Sequence, residues 1–131
     1  MRTKARETVF EVIFASRFSE GKTDGNLKKA LYKNANLGEA DIAYADAVIS
    51  FVENNQDELV KVVDGYSRSF PESRLYPADI SILLIALAEI KYMNDIPAAV
   101  SINEAANIAS KYSSAKSASF ISGILAAVVN S

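Results

Sequence analysis

The 131-residue sequence contains no cysteine, no histidine and no tryptophan. Without cysteine there are no disulfides, thiolate zinc sites or cysteine nucleophiles, which fits a reducing cytosol. Without histidine the commonest general base and the commonest metal ligand are missing as well. Three prolines and five glycines exclude a linker-rich or fibrous chain. The longest apolar stretch, Ile80 to Ala88, is too short to cross a bilayer. No secretory leader is expected, because Glu7 and Glu11 interrupt the apolar start and no A-x-A site follows. What remains is half hydrophobic and of a size that suits one domain with its own core.

The net charge of −2 conceals a segregated distribution. Residues 1–33 hold eight Lys/Arg against four Asp/Glu, residues 34–110 four against twelve, and residues 111–131 two against none. The ends are basic and the middle is acidic. Such a pattern has two readings: separate surfaces for an anionic and a cationic partner, or ordinary surface variation.

Apolar residues recur at helical spacing almost throughout. Val9, Phe10, Ile13, Phe14 and Phe18 make one face of a first helix that Gly21 closes. After a turn at Asp24-Gly25, a second helix over about 26–33 places Leu27, Ala30 and Leu31 opposite Lys28, Lys29 and Lys33. A third runs to about Glu53 with Tyr44, Val48, Ile49 and Val52 inward, and a fourth carries Leu59, Val62, Val63 and Tyr66 and ends before Pro71. Pro77 sits in the first turn of a fifth, ISILLIALAEIKYM, whose all-round apolarity marks it as the central helix. Ser101 to Glu104 reads as a capping box, and a last helix covers about 115–128. No strand-like alternation is present. The expected fold is all-α: a single bundle of about seven helices in two packed subdomains, about 1–72 and 73–131.

A catalyst needs an activated nucleophile, facing carboxylates or metal ligands. The serines near the C-terminus have no histidine to activate them, and adjacent acids such as Asp57 and Glu58 do not face each other on a helix. Neither a P-loop nor a dinucleotide fingerprint occurs. No enzyme, metal or cofactor is expected. Two segments instead look like binding material. Arg2, Lys4 and Arg6 crowd a helix start, against the preference of its dipole for acids. Residues 111–123, KYSSAKSASFISG, combine Tyr112 and Phe120 with Lys111, Lys116 and short hydroxyls, the parts with which proteins stack and hydrogen-bond single-stranded RNA. The plain alternative is a loop whose aromatics anchor into the core. Gly123 within a helix suggests close packing or close ligand approach.

The run DIPAAVSINEAANIASKYSSAKSASFISGIL, with the preceding LLIALAEI and the opening KARETVFEVIF, resembles the NusB family in order and spacing over essentially the whole chain. The resemblance implies a small all-helical bacterial factor that pairs with the ribosomal protein NusE. Together they bind the single-stranded boxA element of nascent RNA and modify RNA polymerase for antitermination, notably on ribosomal RNA operons. It implies cytoplasmic location and RNA contact at Arg2, Lys4, Arg6, Phe14, Lys111, Tyr112, Lys116, Ser117, Phe120 and Ser122. It also implies partner contact at Asp79 and Glu89, with a structural role as the equal alternative for Glu89. Thr3 stands where many members are basic, Ser113 where Gly is common, Lys116 where well-known members have an acid, Ser122 where Asn is usual, and Leu84 where Arg is common. Monomer and homodimer are both compatible with the sequence.

Two other readings compete. One is a helical interaction module with weak or lost RNA binding, which Thr3 and Ser122 keep alive. The other is a detached N-terminal domain of a ribosomal RNA methyltransferase, disfavoured because no cofactor-binding fold follows. If the RNA reading holds, the fold must bring the two basic ends onto one surface.

Overall fold

The computed structural model describes residues 2–67 and 75–131. They form seven helices: α1 (Arg2–Ser16), α2 (Gly25–Asn34), α3 (Glu39–Asn54), α4 (Gln56–Tyr66), α5 (Pro77–Tyr92), α6 (Ala98–Tyr112) and α7 (Ala115–Val129). No strand occurs among the described residues, and none of their helices is long and apolar enough to cross a membrane. The boundary expected near residue 72, Pro71 and the α-amino group of Met1 lie outside the described residues.

The all-α expectation holds, and the fifth helix is central. Every residue from Asp79 to Glu89 is buried. Such a helix has no solvent face, so it needs neighbours all round, and α5 packs against α1, α3 and α4 as well as α6 and α7. Each fully buried Leu or Ile contributes about 1.5–3 kcal/mol of hydrophobic stabilisation. Ile80, Ile82, Leu83, Leu84, Ile85 and Leu87 therefore make α5 the main source of core energy. Leu84, where the resembled family often carries Arg, is wholly buried here.

Three local expectations are corrected. The first helix ends at Ser16, before Phe18, which is 69% exposed. The chain leaves through Glu20 and Gly21, both at positive φ, and at Gly21 a Cβ would sit 2.4 Å from Gln56 Nε2. The φ of +80° at Gly21 is what favours glycine there; the neighbour is the flexible end of the Gln56 side chain. In α2 the buried residue is Tyr32, whose hydroxyl donates to Asp46 at 2.8 Å, while Ala30 is exposed.

The third correction concerns Ser101 to Glu104. The helix they were expected to cap starts earlier, at Ala98, behind Pro97. Both side chains instead reach other helices, as described below. Gly123 is exposed, and a Cβ there meets nothing within 4 Å, so close packing is not the reason for it.

The turn before α2 is a working cap. Asp24 accepts from the backbone N–H groups of Asn26 and Leu27 at 2.9 and 3.2 Å. Asp24→Ala is expected to lower the unfolding free energy by about 1 kcal/mol, the usual cost of losing such a cap. Urea titration checks this; an unchanged midpoint would show that α2 is held by packing on α1 alone.

Candidate nucleic-acid interface

Helix α1 carries an apolar stripe at Ala5, Val9, Val12 and Ile13, which seats it against α3 and α5. Its flank lies along α6, with Thr3 Oγ1 donating to Glu104 at 2.8 Å and Lys111 Nζ meeting Glu7 at 2.9 Å. The N-terminal helix and the start of the basic C-terminal segment thus meet at Glu7. Glu7 also accepts from the Tyr112 hydroxyl at 3.2 Å. Its hydrogen bond and charge raise the Lys111 pKa, and burial followed by the charge of Glu7 raises that of Tyr112.

The N-terminal basic cluster does not stay together. Lys4 is exposed and borders, with Glu7 and Glu11, a hollow of about 270 Å³ against α2. Arg2 leans the other way, its guanidinium 4.4 Å from the centre of the Tyr44 ring on α3. Arg6 points inward and is only 4% exposed. It lies three and four residues before Val9 and Phe10, on the buried face of the helix.

Inside, Arg6 forms a two-pronged pair with Glu89, Nε to Oε2 at 2.7 Å and Nη2 to Oε1 at 3.0 Å. Its Nη1 reaches Glu104 at 3.2 Å. Glu89, 1% exposed, also accepts from Ser101 Oγ at 2.7 Å and from the Tyr44 hydroxyl. Burial alone would lower the Arg6 pKa, but the Glu89 hydrogen bonds and the surrounding Tyr44, Glu89 and Glu104 raise it on balance. Burial, then the charge of Glu89, pushes Tyr44 up, against the pull of Arg6 and Arg2. This network ties α1, α3, α5 and α6 together. Arg6 is therefore not available as a surface cation, contrary to expectation, and of the two readings of Glu89 it is the structural one that its burial fits. The structural use of Ser101 and Glu104 was also missed. The available signal was Glu89 itself, an acid in a helix with no solvent face, which requires a buried partner.

Aromatic rings line the surface where α1 meets α6. Tyr112 packs on Phe10 at 5.1 Å between ring centres, Phe10 on Phe14 at 5.8 Å, and Phe14 edge-on to Phe18 at 5.3 Å. Phe10 is buried, Phe14 half-buried, and Tyr112 40% exposed. Phe10, Phe14 and Tyr112 line a groove of about 490 Å³ together with Leu27 and Leu31 of α2 and Ala78 of α5. Phe18 extends this ladder and was not foreseen as a surface residue.

The next residue of α5, Asp79, borders a second hollow with Lys116, Ser117 and Phe120 of α7. Ser117 is 8% exposed and donates to Asp79 Oδ2 at 2.9 Å, so both are largely buried rather than surface contacts. Phe120 and Ser122 are half-buried, Lys116 exposed. Ser114 caps α7 by accepting from the Ser117 N–H at 3.0 Å. Ser113 and Lys116 have Ser-x-x-Lys spacing, but Ser113 Oγ is engaged with Ser117 Oγ at 3.0 Å. No group of three or more acids among the described residues is arranged to hold a metal ion.

An all-helical scaffold presenting aromatic faces and lysines beside shallow hollows has the parts of a nucleic-acid-binding protein. The model of the NusB family matches residues 3–130, and the chain belongs to that family. It is 32% identical to the transcription antitermination protein NusB of Clostridium botulinum (strain Kyoto / Type A2), covering 98% of this chain and 99% of that one. It is 37% identical to the protein of the same name from Clostridium kluyveri, covering 95% and 92%. Among solved structures, T. maritima NusB superposes with a TM-score of 0.91 at 24% identity, covering 99% of this chain and 91% of that one. A chain from a crystal structure of NusB and NusE in complex with dsRNA superposes with a TM-score of 0.88 at 20% identity, covering 98% and 96%.

Proposed function

We propose that this chain is an RNA-binding transcription antitermination factor. It pairs with the ribosomal protein NusE, and the pair holds boxA-type single-stranded RNA and modifies the elongating RNA polymerase, notably on ribosomal RNA operons. Its place of action is the bacterial cytoplasm, where nascent RNA is made. The full-length match to antitermination proteins supports the activity. The observation that supports the RNA face is the contact of α1 with α6 at Glu7, which holds Lys111 and Tyr112; Tyr112 lines the Phe10–Phe14 groove, and Lys4 borders a hollow that Glu7 and Glu11 also line. Lysines meet phosphates, and the ring faces stack bases.

The contact set is accordingly Lys4, Phe14, Lys111, Tyr112, Lys116 and Phe120, with Arg2 at its margin. Arg6, Ser117, Asp79 and Glu89 support it from inside. The partner surface then lies elsewhere than Glu89, on the acidic exposed faces of the middle helices.

Fluorescence anisotropy with a short boxA-like RNA, with and without NusE, tests this reading. The wild type should bind more tightly with NusE. Lys4→Glu and Lys111→Glu should each weaken binding several-fold. Each should also reduce the slope of log K against log salt by about 0.7, the value for one phosphate contact on a single strand. Affinity and slope unchanged in both variants would place the RNA elsewhere. The burial of Arg6 favours one competing reading, a helical module without RNA binding, because it leaves fewer surface cations at the N-terminus. NusE association with no RNA binding in any mixture would establish that reading instead.

A further inference from the structure

The basic excess of residues 1–33 does not gather at the N-terminus. Arg6 is buried, Arg2 lies on the Tyr44 ring, Arg17 donates to Gln56, and Lys28 pairs with Asp46. The other four cations, Lys4, Lys22, Lys29 and Lys33, are exposed and carry no ion pair among the described residues. Two of them stand on α2. Asn26, Lys29 and Lys33 follow one another at i, i+3 and i+7, so they share one helix face, and all three are exposed. Asp24, the acid at the start of this helix, is occupied in capping it. Lys29 and Lys33, one turn apart, repel each other and weaken the helix slightly, with no acid of the face to offset it.

The other side of α2 is part of the groove already described. Leu27 and Leu31 line it with Phe10, Phe14 and Tyr112, and Leu31 and Asn34 border the hollow beside Lys4. The helix is therefore a wall of the groove, and its lysines lie on the outside of that wall. Apart from Ala30, which is also exposed, this outer face is polar. It lacks the large apolar or aromatic anchor on which protein interfaces centre. It also has no ring on which a base could stack. Two unpaired cations and an amide suit phosphates, which can be held without any reading of bases. A strand longer than the groove carries such phosphates beyond it.

We propose that the outer face of α2 holds the phosphates of RNA that flanks the boxA element, through Lys29 and Lys33 and without base preference. The proposal rests on the RNA-binding reading above and extends the bound RNA past the groove. The core element is read by the rings and hydroxyls of the groove side. The flank adds affinity and salt dependence only.

The test uses the full chain with NusE and a boxA-like core RNA. The core is compared with the same RNA extended upstream or downstream by unpaired nucleotides, each extension in a uridine and a mixed-sequence version. For the wild type, extension on one side should tighten binding several-fold, whatever its sequence. It should also steepen the dependence of log K on log salt by about 0.7 for each lysine engaged. Lys29→Gln combined with Lys33→Gln changes only exposed side chains and keeps good helix formers. This double variant should lose the gain and the added slope, and bind the core RNA as the wild type does. The proposal is overturned if neither extension changes the affinity or slope of the wild type, if the gain depends on the sequence of the extension, or if the double variant keeps it. It is equally overturned if the double variant weakens core and extended RNAs by the same factor, which would make these lysines part of the general field and not a site for the flank. Loss of NusE association with the gain intact would also overturn it, by assigning the face to the protein partner. Failure of the wild type to bind even the core RNA would remove the parent reading as well, and is thereby told apart from failure of the α2 face alone.

Discussion

Glu89→Ala is expected to destabilise the protein by about 3–5 kcal/mol, a large part of the total stability of a domain this size. The cost does not measure the strength of the ion pair. It comes from what the truncation leaves behind: a buried guanidinium, a buried tyrosine hydroxyl and a buried serine hydroxyl, all of which lose their acceptor together. Glu104, 3.2 Å from Arg6 Nη1, retains part of the Arg6 interaction, which keeps the loss from running higher. Arg6→Met paired with Glu89→Leu removes both charges, and a buried pair replaced by apolar groups of similar volume often loses little. The double variant should therefore unfold at higher urea than Glu89→Ala alone, held below wild type mainly by the unpaired Tyr44 and Ser101. A loss under about 1 kcal/mol for Glu89→Ala would show that α1 is seated by its apolar stripe and not by this network.

The network bears on function because it sets where α1 lies. Arg6 anchors the helix one residue before Glu7, and Glu7 positions Lys111 and Tyr112. Loosening the buried pair should therefore blur the RNA face without touching any exposed group. An RNA-binding loss in Glu89→Ala that returns with the double variant would separate this positioning effect from direct contact.

Helical periodicity made most of the fold legible. Tyr44, Val48, Ile49 and Val52 are buried as their spacing implies, and α5 is central because a helix apolar on all sides has nowhere else to go. Local signals failed where tertiary partners outbid them. Ser101 and Glu104 have the spacing of a capping box, yet Glu89 accepts from the serine and Thr3 and Arg6 donate to the glutamate. Those partners lie 12 to 101 residues away in sequence, beyond the reach of any short motif. Counting charge treats Arg2, Lys4 and Arg6 as one cluster, whereas the helix puts Arg2 and Arg6, four residues apart, over the Tyr44 ring, with only Arg6 going on into the core, and sends Lys4 to solvent. Only the apolar company of Arg6 on its helix face hinted at burial. The RNA reading required the basic residues of both chain ends on one surface, and the fold goes part of the way: α1 meets α6 at Glu7 and Lys111, while Arg6 is buried and Arg2 sits on Tyr44. The acid at the meeting point, Glu7, was not anticipated, because its role exists only once Lys111 is beside it.

Tyr112→Ala should weaken RNA binding by about 1–3 kcal/mol if one base stacks on its ring. The residue suits that role because its ring is held on both sides of its function. Phe10 backs it at 5.1 Å, and Glu7 accepts from its hydroxyl at 3.2 Å, so the exposed ring is oriented before any RNA arrives. A platform fixed in advance loses little conformational freedom on binding, which favours affinity. Tyr112→Phe keeps the ring and its backing and loses only the hydroxyl, so it should bind within about threefold of wild type. The pairing of the two variants separates stacking from hydrogen bonding: if Tyr112→Phe falls as far as Tyr112→Ala, the hydroxyl and its link to Glu7 matter more than the ring. Stability should change little in either case, because the side chain is 40% exposed and closes no cavity in the core. Glu7→Gln offers the complementary measurement. It frees Lys111 from its acid and leaves an acceptor for the Tyr112 hydroxyl, so RNA affinity should rise at low salt and converge on wild type as salt screens the added charge.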